Sequence, residues 1–151
     1  MHTTDLPAAL PMTPAPVPAR ARARGRVLAE LVRAGERSVQ VRVRGSCMHP
    51  ALRDGEIVTL RPALAYRPGD IVGVARADGT LTLHRLLGYR PSRRGLAVWT
   101  QADRADAPDP AALLAATVGR VDRPVPLWRR LRAGAAYARA LAAWLDPRGH
   151  R

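Results

Sequence analysis

The sequence predicts a mostly β protein with a compact, coiled antiparallel sheet or partial barrel, a short helix before it and an amphipathic helix after it. Short apolar segments recur between turn signals, which is typical of such sheets. The composition is 47% hydrophobic but only 4% aromatic, with no Phe, so the core must be built from aliphatic side chains that suit strands. A chain of 151 residues holds one domain with tails rather than two domains.

The N-terminal part of the chain divides into a tail and a short helix. Residues 1–25 are dominated by Pro, Ala and Arg, which predicts a disordered tail. Over residues 26–34 the spacing of the apolar side chains predicts a short helix that Gly35 ends. We therefore place the folded domain at residues 26–123, and a basic amphipathic helix with its tail at residues 124–151.

Six strands are predicted where apolar residues alternate with polar ones or form short runs between turns. They cover residues 39–44, 57–60, 71–74, 81–86, 96–101 and 118–121. Turn signals separate the strands at Asp54-Gly55, Pro68-Gly69-Asp70 and Asp78-Gly79. The sequence shows no internal repeat.

The C-terminal helix is amphipathic. One helical face collects the apolar side chains Leu127, Leu131, Ala135, Ala138, Ala142 and Leu145. Arg side chains lie off this face and Trp128 and Trp144 flank it, so residues 127–145 suit contact with an anionic membrane surface. A helix packed on its own domain or on a partner fits the pattern equally well.

Charge and cysteine content bear on partners and location. The net charge is +13 and all the positive charge comes from Arg, since the chain has no Lys. Such an excess can attract nucleic acid or anionic membranes, but we interpret it as the solvated surface of a GC-biased sequence and expect no nucleic-acid partner. A single cysteine cannot form an internal disulfide, and neither a membrane span nor a secretory signal is evident, so we expect a cytoplasmic protein.

The densest cluster of chemically useful side chains lies at residues 45–58, directly after the first strand. A nucleophile at this junction would project towards a substrate carbonyl, beside backbone N–H groups that can stabilise an oxyanion. Cys47 is the candidate nucleophile, although an isolated cysteine is more often a small buried hydrophobe.

This segment resembles the first motif of the type I signal peptidase family, whose relatives include the self-cleaving repressors of the SOS response. The motif reads G-x-S-M-x-P-T-L followed by G-D/E-x-V. Seven positions are in register: Gly45, Met48, Pro50, Leu52, Gly55, Glu56 and Val58. That register puts Cys47, not Ser46, at the position of the family's nucleophilic Ser.

Further motifs extend the resemblance over residues 39–123. Residues 67–72 resemble the family's Gly-Asp strand start, and residues 118–121 its closing strand. Leu83-His84-Arg85-Leu86 is similar to the strand in which one subgroup carries Lys before Arg and another carries His. A chain without Lys falls in the His subgroup, which implies that His84 is the base.

The resemblance also implies a carboxylate partner for His84 within residues 101–109, similar to the family's G-D-N-x(n)-D segment. Motif register favours Asp103, with Asp109 second and Asp106 also open. Ser46 and the Cys47 N–H are candidate oxyanion donors, and the substrate groove is expected to be lined by Ser46, Met48, His49 and Pro50. With one Cys and no paired His spacing, we expect no metal site and no cofactor.

The implied function is an endopeptidase that cuts a leader or propeptide from a precursor protein and prefers small side chains beside the cut. An inactive relative that binds peptides by strand addition and a serine-type enzyme using Ser46 are the alternatives. A repressor-like regulator would need a helix-turn-helix before the domain, for which the Pro, Ala and Arg-rich segment leaves no room. If His84 holds Cys47 as a thiolate, this thiol should alkylate faster than free cysteine.

Overall fold

The computed structural model describes residues 38–146, which form a seven-stranded sheet and one long helix. The strands are β1 Val39–Arg42, β2 Ile57–Arg61, β3 Ile71–Ala75, β4 Leu81–Ser92, β5 Gly95–Gln101, β6 Ala112–Leu113 and β7 Thr117–Val121. A 3₁₀ turn, Leu114–Ala116, precedes β7, and helix α1 runs over Leu127–Leu145. The tail and the short helix predicted for residues 1–25 and 26–34 lie outside the described residues.

The sheet is antiparallel and curls into a half-barrel, which confirms the predicted fold class. The strand order is β1-β2-β7-β3-β4-β5-β6, so that β7 lies between β2 and β3. The register shifts at Gly73/Val74 between β3 and β7, and at Leu86/Gly88 between β4 and β5. Such irregularities increase the local bend and twist of a sheet, which suits a curled one.

The core is aliphatic, as the composition predicts. Val72, Val74, Leu86 and Val98 form one cluster of the core and are at most 1% exposed. A second cluster packs Met48 and Leu52, from the turn that follows β1, among the side chains of β1, β2 and β7. This packing fixes the turn that carries Cys47 to the sheet.

Helix α1 docks against β4 and β5. Tyr137 lies over Gly88, where an added Cβ would come within 2.6 Å of the Tyr137 ring, so only glycine allows this close approach. Trp99 meets Tyr137 edge to face at 6.2 Å between ring centroids, and Ala133 is buried beside them. No helix among residues 38–146 is long and apolar enough to cross a membrane.

The docked face of α1 differs from the apolar face that the sequence indicates. The sheet covers Ala133 fully and partly covers Ala136, Tyr137, Ala140 and Leu141. The face with Leu127, Leu131 and Leu145 points away and is exposed. Small alanines and one Tyr fit the surface around Gly88 and Trp99, whereas the leucines remain outside.

Candidate active site

The segment that carries Cys47 is a tight turn whose apolar side chains Met48 and Leu52 are buried. His49 N–H donates to the Ser46 carbonyl at 3.0 Å, and Leu52 N–H donates to the Met48 carbonyl at 2.9 Å. Met48 is 2% exposed, whereas Ser46 and Cys47 are exposed. The buried Met48 therefore anchors the turn, and the side chain before it faces solvent.

The entry to this turn is held by its own backbone and by one carboxylate. Gly45 adopts a positive φ of 84°, a conformation that glycine tolerates best. Its N–H donates to Asp54 Oδ1 at 2.7 Å. Arg123 holds the other side of the turn, donating to the Ala51 carbonyl at 2.7 Å and pairing with Glu56. Both Gly45 and Glu56 belong to the motif that marked this segment.

The segment after β5 lies directly against the Cys47 turn. Arg104 N–H donates to the Cys47 carbonyl at 3.1 Å. Asp103 N–H lies 3.4 Å from Met48 Sδ. The same segment continues to Asp109, whose N–H donates to the Thr100 carbonyl at 2.8 Å. It therefore brings the candidate carboxylates to the neighbourhood of the thiol.

His84, on β4, is paired with Asp109. Its Nδ1 lies 2.6 Å from Asp109 Oδ2, and the two side chains are 13% and 18% exposed. Thr100 Oγ1 donates to the same oxygen at 2.6 Å, and Arg76 NH2 donates to it at 3.2 Å. A carboxylate at Nδ1 favours the tautomer with the proton on that nitrogen, which leaves Nε2 to accept a proton.

The surroundings of Asp109 keep it ionised. Burial is the largest influence and acts to raise the pKa of this carboxyl. The hydrogen bonds from His84 and Thr100 and the charges of His84 and Arg76 act in the opposite direction and together outweigh burial, so the pKa of Asp109 is lowered. The group that orients His84 is therefore a carboxylate at neutral pH.

Asp103 does not contact His84, and the preference that motif register gave it as the histidine's partner is wrong. Its carboxylate accepts two hydrogen bonds from Arg85, both at 2.6 Å, and one from Arg129 at 3.0 Å. Successive side chains of a strand point to opposite faces, so His84 and Arg85 reach different partners. Asp106, the third candidate, lies between Asp103 and Asp109 in the sequence, and its side chain is exposed.

The Cys47 thiol is not activated in the resting arrangement. Partial burial raises the pKa of the thiol, backbone N–H groups at Cys47 and Met48 lower it, and the charges of Asp109 and Asp103 raise it, with a net increase. Within residues 38–146, no hydrogen bond joins Cys47 to His84. The raised pKa favours the protonated thiol at neutral pH over the thiolate that the sequence suggested.

We expect Cys47 to react with iodoacetamide at pH 7 more slowly than glutathione does, because only the thiolate is nucleophilic. The rate should rise as the pH increases beyond the ordinary pKa of a cysteine thiol. Mass spectrometry of the intact chain measures this directly, since Cys47 is its single cysteine. Alkylation faster than that of glutathione at pH 7 would contradict the raised thiol pKa.

The predicted groove residues separate into two groups. Met48 is a core residue and cannot line a groove, because its thioether packs under the turn. His49 and Pro50 are exposed beside Ser46. Pro50 also borders a pocket of about 280 Å³ that is mainly apolar. The other walls of this pocket are Ala51, Ile71, Arg85, Val121, residues 123–126, Trp128 and Arg129.

Sequence reasoning missed three contributors to this region: Arg76, Thr100 and the pocket at Pro50. Thr100 and Arg76 belong to no motif. Only their hydrogen bonds to the Asp109 carboxylate, seen in the structure, identify them as part of this region. The pocket depends on the chain returning to the turn at residues 123–126, which no local pattern indicates. Among residues 38–146, no group of three or more His, Cys, Asp or Glu side chains is arranged to hold a metal ion.

Comparison with protein families places part of the chain in a known family. The family model described as Peptidase S24-like matches residues 14–96, more than half of the chain. The matched region includes Cys47 and His84 and ends before Asp103, Asp109 and helix α1. No curated protein matches the sequence.

Proposed function

We propose that this chain, which belongs to the Peptidase S24-like family, is an endopeptidase that cuts a leader or propeptide from a precursor protein. In this proposal Cys47 is the nucleophile, His84 the general base and Asp109 the carboxylate that orients the base. The observation that carries it is the 2.6 Å contact between His84 Nδ1 and Asp109. The chain segment that supplies Asp109 is also hydrogen-bonded to the Cys47 carbonyl.

The raised thiol pKa favours a general-base mechanism over a preformed ion pair. His84 Nε2 takes the thiol proton as Sγ bonds to the substrate carbonyl carbon, and the carbonyl oxygen becomes an oxyanion. The backbone N–H groups of Ser46 and Cys47 are the proposed donors to that oxyanion, so a change of the Ser46 side chain leaves both donors in place. The peptide C–N bond then breaks, His84 protonates the leaving amine, and water hydrolyses the thioester.

The pocket at Pro50 borders the Cys47 turn but is lined by neither Cys47 nor His84, so we assign it to an apolar substrate side chain at a distance from the cut. Its walls are mostly Pro, Val, Ala and Ile, and its three arginines already have partners: Arg85 and Arg129 bind Asp103, and Arg123 binds Glu56. An uncharged side chain therefore fits better than an ionised one. The proposed partner is a cytoplasmic precursor peptide with small residues beside the cut, rather than a nucleic acid.

We expect the parent protein to cleave members of a synthetic peptide mixture in which Ala pairs follow apolar residues, with products identified by mass spectrometry. Cys47→Ala and His84→Ala should abolish cleavage, because each removes a reacting group. Ser46→Ala is the matched control and should retain most of the activity. Loss of cleavage in Ser46→Ala, with activity kept in Cys47→Ala, would identify Ser46 as the nucleophile.

A second candidate function is peptide binding without cleavage. It is favoured by the raised pKa of the Cys47 thiol and by the lack of a Cys47–His84 hydrogen bond among the described residues. In that case the parent and Cys47→Ser would both be inert towards every peptide of the mixture. They would still bind the same peptides with similar affinity, which fluorescence anisotropy measures.

A further inference from the structure

Helix α1 carries an apolar stripe on the side that faces away from the sheet. We call it the outer stripe; all six members are exposed, namely Leu127, Leu131, Ala135, Ala138, Ala142 and Leu145. Its three leucines are 71%, 67% and 63% exposed, in chain order. A single exposed Leu is ordinary, but an aligned stripe along a helix of about 28 Å, at 1.5 Å per residue, indicates a surface that binds something.

The residues beside the outer stripe indicate what this surface binds. Trp128, which is 54% exposed, borders the outer stripe. Since each residue of an α-helix is rotated by about 100° from the previous one, Arg132 and Arg139 lie next to Trp128, on the side away from the stripe. No acidic residue occurs within Leu127–Leu145. The outward face of α1 is therefore apolar along one side and cationic along the next.

The arginines of α1 fall into two pairs. Arg129 and Arg130 are committed to the domain, where they bind Asp103 and Asp70. Arg132 and Arg139, by contrast, are exposed, and no carboxylate between residues 38 and 146 pairs with either of them. Their charges remain available to an external anion at the border of the apolar stripe.

We propose that α1 binds an anionic membrane surface. The outer stripe enters the boundary between headgroups and acyl chains, Trp128 lies at that boundary, and Arg132 and Arg139 meet lipid phosphates. A second copy of the chain is a poorer occupant, because pairing two outer stripes would bring like-charged Arg132 and Arg139 side chains together. The helix lies in the plane of the membrane, with its other face still docked on the sheet.

This arrangement holds the candidate active site at the membrane surface. Arg129 lies in the first turn of α1 and binds Asp103, in the segment that is hydrogen-bonded to the Cys47 carbonyl. Lipid binding by α1 does not depend on whether Cys47 is catalytic. Its failure would therefore leave the proposed peptidase function intact, and failure of cleavage would leave the lipid proposal intact.

The test is sedimentation of the full chain with vesicles of mixed phosphatidylglycerol and phosphatidylcholine. We expect binding that weakens as salt is raised and that is much weaker on pure phosphatidylcholine. Leu131→Glu should weaken it at least about tenfold, because it inserts a carboxylate into the stripe. Arg132→Gln with Arg139→Gln should weaken it about thirtyfold, from about 1 kcal/mol for each of the two Arg side chains near an anionic surface.

Matched controls lie on the sheet. Leu96→Glu replaces another exposed leucine, which is 48% exposed on β5, and Arg93→Gln with Arg94→Gln removes two exposed arginines from the β4–β5 turn. Both should leave vesicle binding within about twofold of the parent. Circular dichroism melting of each variant establishes that the fold is kept, as expected for exposed positions.

Three results would overturn the proposal. The first is no sedimentation with anionic vesicles at low salt. The second is equal binding by Leu131→Glu and Leu96→Glu. The third is a parent chain that is dimeric in analytical ultracentrifugation without lipid and becomes monomeric on Leu131→Glu, which would assign the outer stripe to a second copy.

Discussion

Asp109→Asn should lower kcat/KM for peptide cleavage by about 10³ to 10⁴-fold, in line with loss of the orienting carboxylate from a nucleophile–histidine–carboxylate site. Asn has nearly the same shape, but its amide can donate to His84 Nδ1 and so favour the tautomer with the proton on Nε2. That tautomer cannot accept the thiol proton. The loss should therefore appear in kcat, with KM little changed.

Asp106→Asn is the control for this substitution. Asp106 lies in the same segment as Asp109 and is exposed, so it should keep full activity. Kinetics on the best-cleaved peptide, with melting curves for each variant, separate a catalytic effect from a loss of fold. A fall of less than tenfold in Asp109→Asn would mean that His84 does not depend on this carboxylate.

The strands that the sequence predicts are those in which the apolar pattern is strong. β6 was missed because Ala112–Leu113 lies in an Ala and Leu-rich run without alternation. β4 continues beyond the predicted residue 86 to Ser92 even though Gly88 and Pro91 are unusual within a strand. Pairing with β5 down to Ser92↔Gly95 keeps this extension in the sheet.

The residues of the candidate site that occupy a local motif could be predicted from the sequence. Those whose contacts depend on the tertiary fold could not. Cys47 and His84 occupy motif positions, but three aspartates within seven residues could each have reached His84. The choice depends on which face of β4 each carboxylate meets, and on Thr100 and Arg76 completing the environment of Asp109. Helix α1 shows the same limit, because its strongest apolar stripe is not the face that packs.

Asp103→Ala should cause the largest loss of stability among the site variants. The Asp103 side chain is 5% exposed and neutralises Arg85, which is 8% exposed, while also binding Arg129. Removing one partner of a buried ion pair leaves an uncompensated charge and costs about 3–5 kcal/mol. For a chain of this size that corresponds to a melting temperature lower by roughly 10 °C or more.

Thermal and urea denaturation followed by circular dichroism measure this loss, with Asp106→Ala as the exposed control. Adding Arg85→Met to Asp103→Leu should recover much of the stability, because an apolar pair of similar volume avoids burying charge. Well below its melting temperature, Asp103→Ala should lose far less kcat than Asp109→Asn, since Asp103 acts on the fold and Asp109 on His84. If Asp103→Ala melted within 2 °C of the parent yet lost activity as completely as Asp109→Asn, Asp103 would have a direct part in the chemistry.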